Sequence, residues 1–119
     1  NVFKNPIIHG VLPNINSTIN LGTVDPILIS YNVPIIQSSK NIYIYQQNNS
    51  DFILRQTFSG QSQYCSLFNQ TAIKCDVLSS TFNQPNSIYY IKVDDNFVRN
   101  NDTSEHLGGI GNMIWKILT

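Results

Sequence analysis

Apolar residues along this chain fall into short runs of strand length, separated by clusters of Asn, Ser, Gly and Pro. In Ile27-Leu28-Ile29-Ser30-Tyr31, positions 27, 29 and 31 alternate onto one face, and Val33-Pro34 closes the run. Asn41 to Gln47 sets Ile42 and Ile44 on one face and Tyr43 and Tyr45 on the other. Gln46 to Asp51 reads as a turn, followed by a strand from Phe52 to Phe58. Ser59-Gly60 precedes a hairpin of Tyr64–Phe68 and Ala72–Leu78. Ile88–Val93 alternates Tyr89, Ile91 and Val93, and Met113–Thr119 aligns Trp115 with Ile117. The run Pro6–Pro13 is bounded by prolines and suits an edge strand. Asn14–Gly22, Ser79–Pro85 and Asp94–Asn112 read as polar turns or loops. No helical period is sustained. About eight short strands at regular spacing, with no helices between them, predict an antiparallel β-sandwich or barrel. The expected core is Ile27, Ile29, Tyr31, Ile42, Ile44, Tyr89, Ile91, Val93, Trp115 and Ile117.

The order of these segments resembles the SbsA-type bacterial immunoglobulin-like (Ig-like) domain family. The resemblance is carried by Leu12-Pro13-Asn14-Ile15-Asn16, by Ile27 to Pro34 and by Ser39 to Tyr45. It continues through Phe82 to Ile91, Gly108-Gly109 and the closing Trp115-Lys116-Ile117-Leu118-Thr119. Ile117 stands where the family usually has Phe, the loop from Phe82 to Tyr89 is one residue longer than in the family pattern, and the two cysteines are not a family feature. The resemblance implies an Ig-like antiparallel sandwich of about seven or eight strands with Greek-key connections. It also implies a non-catalytic spacer, interaction or adhesion module, one of several repeats in a secreted or cell-surface protein. Neighbouring Ig-like domains or another extracellular protein would be its partners.

At 119 residues the chain fits one domain over 1–119, with 1–5 as a linker or edge segment. It begins at Asn1-Val2-Phe3-Lys4 without an initiator Met or a signal pattern, which reads as a fragment of a larger protein. Seven basic residues, scattered singly and balanced by seven acidic ones, give no electrostatic footprint for nucleic acid. No apolar run approaches the roughly 18 residues of a membrane span.

Candidate chemistry is sparse. His9 and His106 lie in an edge run and a loop, no Gly-x-Ser-x-Gly elbow exists, and no motif calls for a cofactor, so no enzyme is expected. Asp94, Asp95, Asp102 and Glu105 concentrate hard oxygen ligands suited to calcium, but without EF-hand spacing, and a solvated loop explains them as well. Gly108-Gly109-Ile110-Gly111 lacks the strand and helix context of a phosphate cradle. Tyr43, Tyr45, Tyr90 and Trp115 are candidates for an aromatic platform that stacks on sugars, Tyr43 and Tyr45 foremost, which gives a carbohydrate-binding module as the alternative function.

Cys65 and Cys75 flank Asn69-Gln70-Thr71. With the turn centred on Gln70, Phe68 faces Ala72, Leu67 faces Ile73, Ser66 faces Lys74 and Cys65 faces Cys75. Opposed residues of an antiparallel pair lie within disulfide reach, so a bridge is expected, and with it an oxidising compartment. Four sequons begin at Asn16, Asn48, Asn69 and Asn101, where chance placement gives about two or three, and all fall in expected turns or loops. Mass spectrometry of the protein from its native host should find glycan at one or more of these asparagines. Four bare sites would contradict the secretory reading.

Overall fold

The computed structural model describes residues 2–119, and among them it contains strands and turns but no helix. The strands are β1 (Ile8–Leu12), β2 (Ser17–Thr18), β3 (Ile27–Tyr31), β4 (Ile35–Gln37), β5 (Asn41–Asn48) and β6 (Asp51–Ser59). They continue as β7 (Cys65–Asn69), β8 (Ala72–Cys75), β9 (Ile88–Val93), β10 (Val98–Asn100) and β11 (Ile110–Leu118). One sheet has the order β1-β3-β8-β7, a second the order β2-β11-β9-β5-β6, and β4 and β10 form a two-stranded ribbon. Every pairing is antiparallel except the short contact of β2 with β11.

Alternation explains how the larger sheet acquires a dry face. β9 sits centrally, with Ile91 opposite Ile44 of β5 and Trp115 of β11, and Val93 opposite Ile42. These residues are buried on one side, while Tyr90 and Lys92 emerge on the other. Ile27, Ile29 and Tyr31 of β3, with Ile73 and Cys75 of β8, supply the opposing apolar surface from the smaller sheet. All ten expected core residues are buried and join one cluster in this sandwich.

Among the described residues, buried side-chain polar atoms are satisfied, with one exception. The Trp115 indole Nε1 donates to the carbonyl of Pro13 at 2.9 Å, which lets the whole ring leave water. Gln56 is a buried amide: its Oε1 accepts from Thr81 Oγ1 at 2.6 Å and from the Leu78 N–H, and its Nε2 donates to the Asp76 carbonyl. Those three bonds pin the connection between β8 and β9 against β6. The Tyr31 hydroxyl is buried without a partner, and desolvation raises its pKa far above the ordinary tyrosine range.

Three short strands were not expected. β2 lies in the expected turn Asn14–Gly22, β4 follows the Pro34 stop, and β10 lies inside the expected loop Asp94–Asn112. That loop also buries Phe97, Val98 and Ile110, because Val98–Asn100 finds a backbone partner in Ile35–Gln37. β11 accordingly starts at Ile110 rather than Met113. The expected turn Gln46–Asp51 shrinks to Asn49 and Ser50, with Asn49 in a left-handed conformation. Phe3 packs into the core, and Asn5 Nδ2 donates to the carbonyls of Gly108 and Gly109.

Cys65 and Cys75 form a disulfide, with Cys65 opposite Cys75, Ser66 opposite Lys74 and Leu67 opposite Ile73. The expected pairing of Phe68 with Ala72 is corrected: Asn69 takes that place, and Phe68 is the extra residue of a bulge. Asn69 Oδ1 accepts from the N–H and Oγ1 of Thr71, which tightens the turn to Gln70-Thr71 and forces the extra residue back into the strand.

Truncation of Trp115 to Ala should cost about 3–5 kcal/mol, through lost burial and an orphaned Pro13 carbonyl. Chemical denaturation would reveal a misplaced indole if the midpoint did not move. Tyr31→Phe should behave oppositely, leaving stability unchanged or raising it by up to about 1–3 kcal/mol, since it removes an unsatisfied hydroxyl. A marked loss on Tyr31→Phe would mean that the hydroxyl has a partner.

Candidate functional site

The outward side of β9, β5 and β6 carries an aromatic cluster generated by the same alternation that fills the core. Tyr45 stands directly opposite Tyr90, and Tyr43 opposite Lys92. Phe52 of β6 meets both tyrosines edge-on, with centroids 6.5 Å from Tyr45 and 5.9 Å from Tyr90. Tyr43 and Tyr45 stack at 6.1 Å with an interplanar angle of 14°. Offset and edge-to-face contacts at these spacings suit the ring quadrupoles. The cluster therefore forms a defined surface rather than loose side chains.

Beside it runs a groove of about 220 Å³ lined by Tyr45, Phe52, Tyr90, Lys92, Asn112 and Met113. Asn112 and Met113 reach this position because the register between β11 and β9 breaks between Ile110 and Trp115. Within that break Met113 adopts a positive φ of 63° and lies exposed. The Lys92 ammonium sits 5.3 Å from the centre of the Tyr43 ring, within cation–π range. Tyr43 is further tied down through its hydroxyl, which donates to Asp94 Oδ2 at 3.2 Å. The hydroxyls of Tyr45 and Tyr90 make no hydrogen bond with the described residues and remain available to a ligand. Of the four expected platform aromatics, the structure gathers Tyr43, Tyr45 and Tyr90. Trp115 is not on this face: its inward position in β11 buries it completely. Phe52, Lys92 and Met113 were not anticipated as members. The signal for Phe52 lay in Phe52-Ile53-Leu54, three consecutive apolar residues where alternation would place a polar one.

The acidic residues are dispersed. Asp94 Oδ2 also accepts from the Asn41 N–H at 3.1 Å, and Asp95 Oδ1 accepts from the Gly109 N–H at 2.9 Å. Asp102 and Glu105 lie in the exposed turn after β10, and among the described residues no three His, Cys, Asp or Glu side chains gather as metal ligands. The Gly109 N–H that a phosphate cradle would need is thus already committed. A Cβ at Gly109 would collide with the carbonyl oxygens of Val93 and Asp94, so close backbone packing explains this glycine. His9 and His106 are both exposed, and the sequon residues Asn16, Asn48, Asn69 and Asn101 all face solvent. No described helix is long and apolar enough to cross a membrane.

Comparison with family models, curated proteins and solved structures finds no match for this chain. The family resemblance therefore rests on the residues quoted for it.

Gly109→Ala should lower the melting temperature clearly, because the clash is with backbone that cannot swing away. Gly111→Ala is the control, since its added Cβ would meet only the tip of Ile114 at 3.7 Å. Equal melting temperatures for the two variants would contradict the packing described at Gly109.

Proposed function

We propose that this chain is a non-catalytic Ig-like module of a secreted or cell-surface protein, of the SbsA type, and one of several repeats. In this reading it spaces neighbouring domains and offers its aromatic sheet face to an extracellular protein partner. The observation that carries the proposal is the strand order. Read as A, B, E and D, the strands β1, β3, β8 and β7 follow the order of one immunoglobulin sheet, A-B-E-D. Read as G, F, C and C′, the strands β11, β9, β5 and β6 follow the other, with β2, β4 and β10 as additions.

Tyr89 adds an independent point of support. It stands near the start of β9, and its hydroxyl accepts from the Gln84 N–H at 3.0 Å, five residues upstream. A tyrosine corner has this arrangement, with the hydroxyl returning to backbone a few residues earlier. Two features depart from antibody-type domains: the disulfide joins adjacent strands of one sheet, and the buried Trp lies on β11. The bridge is compatible with an oxidising compartment. Glycans on the exposed sequon asparagines would agree with the same location.

Carbohydrate binding is the second reading, favoured by the available hydroxyls of Tyr45 and Tyr90 beside an apolar groove. Protein is the better match to the site because Tyr43 is already engaged by Lys92, Tyr45 and Asp94, and a groove of about 220 Å³ remains beside it.

Intact source cells treated with a membrane-impermeant label should yield labelled peptides of this chain. Acid quenching and alkylation should find Cys65 and Cys75 oxidised in the same sample. Protected peptides carrying two free thiols would contradict an extracellular module. On the recovered protein, Tyr45→Ala with Tyr90→Ala should weaken partner binding by about tenfold or more, with little change in melting. Retained protein binding together with lost glycan binding would favour the carbohydrate reading.

A further inference from the structure

We infer that an N-linked glycan on Asn101 folds back over the chain and packs its first sugar rings into the hollow between β4 and β7. The inference rests on the secreted reading above and adds to it which sequon is occupied and where the glycan lies.

The hollow measures about 290 Å³, and Pro34, Ile36, Leu67, Gln70 and Asn101 belong to its lining. Two backbone bonds assemble it from segments far apart in sequence. The Asn101 N–H donates to the Pro34 carbonyl at 2.9 Å, and the Ile35 N–H donates to the Gln70 carbonyl at 2.9 Å. Two sequons thereby meet at one place, Asn101 as part of the wall and Asn69 next to Gln70. The apolar part of the lining is uncovered, with Ile36 47% and Leu67 40% exposed.

Asn101 is exposed, and its side-chain amide has no hydrogen-bond partner among the described residues. The turn that carries it is held by its neighbour, since Asn100 Oδ1 accepts from the N–H groups of Asp102 and Thr103. A sugar on Asn101 Nδ2 therefore displaces no bond. Asn69 differs: its Oδ1 is engaged by Thr71, and it borders the hollow only through Gln70. Attachment joins Asn101 Nδ2 to the anomeric carbon of the first sugar. The bond that breaks holds that carbon to the diphosphate of a lipid-linked glycosyl donor, which leaves with the electron pair, while one Nδ2 proton passes to the transferase's base. Thr103 supplies the hydroxyl that the sequon requires.

A pyranose ring presents C–H groups on its faces and hydroxyls around its rim. It covers Ile36 and Leu67 with a face while the rim stays in water. An apolar side chain of another protein is the competing occupant. Covalent attachment decides between them. A tethered group meets the hollow at an effective concentration on the order of millimolar, without the translational entropy that a free partner loses. Contacts too weak to retain a separate ligand then suffice. The aromatic groove shares no lining residue with this hollow and stays open to a partner.

Protein from a glycosylating secretory host should carry glycan at Asn101, read by glycopeptide mass spectrometry. Hydroxyl-radical footprinting should modify its Ile36 and Leu67 severalfold more slowly than after stripping with a peptide N-glycosidase. Leu78, which is exposed and follows the other end of β8, is the control and should not change. Thr103→Ala keeps Asn101 but removes the sequon, and should expose Ile36 and Leu67 as stripping does. Thr103→Ser should restore both glycan and protection. A bare Asn101 beside any other occupied sequon would overturn the inference and leave the secreted reading intact, whereas four bare sequons would overturn both. Equal rates before and after stripping, or protection that survives Thr103→Ala, would also overturn it.

Discussion

The alternation of β9 is the constraint on which both faces of the larger sheet depend. Its inward residues Tyr89, Ile91 and Val93 are packed between the sheets, with two paired strands fixing their height. A slip of one residue would exchange every side chain between core and solvent, sending Tyr90 and Lys92 inside. Ile42 and Ile44 on one flank and Trp115 and Ile117 on the other make that slip unfavourable. The outward aromatic cluster is therefore a consequence of core packing. Burial, about 25 cal/mol per Å² of apolar surface, dominates over the modest ring–ring contacts outside.

Buried polar atoms then turn an apolar sandwich into one specific arrangement. Trp115 reaches Pro13, Gln56 holds the chain from Asp76 to Thr81, and Tyr89 holds Gln84. Each bond links segments that apolar packing alone would leave free to slide. Leaving any of these groups unpaired costs more than the bond itself gains, so they act as register markers. The disulfide works differently, since its short loop chiefly restricts the unfolded chain, worth about 2–3 kcal/mol in the chain-entropy picture.

What the sequence made legible follows from the same physics. Strands of five or more residues with clean alternation, such as Ile27–Tyr31 and Ile88–Val93, declare both their extent and their buried side. The facing of Cys65 and Cys75 was legible because turn and strands lie within one hairpin. Strands of two or three residues have no period to read, so β2, β4 and β10 exist only through partners distant in sequence. Phe97, Val98 and Ile110 fall within the expected polar loop Asp94–Asn112 yet are buried in the structure. Of the candidate site, Tyr43 and Tyr45 followed from alternation. Met113 depended on an irregularity in β11, and Phe52 on where an edge strand ends.

Adjacent Tyr89 and Tyr90 give the most direct test of this account. In dilute solution, hydroxyl-radical footprinting read by peptide mass spectrometry should modify Tyr90, Tyr45 and Tyr43 while sparing Tyr89 and Tyr31. Equal modification of Tyr89 and Tyr90, or the reverse order, would contradict the inward alternation of β9 and the two faces that follow from it.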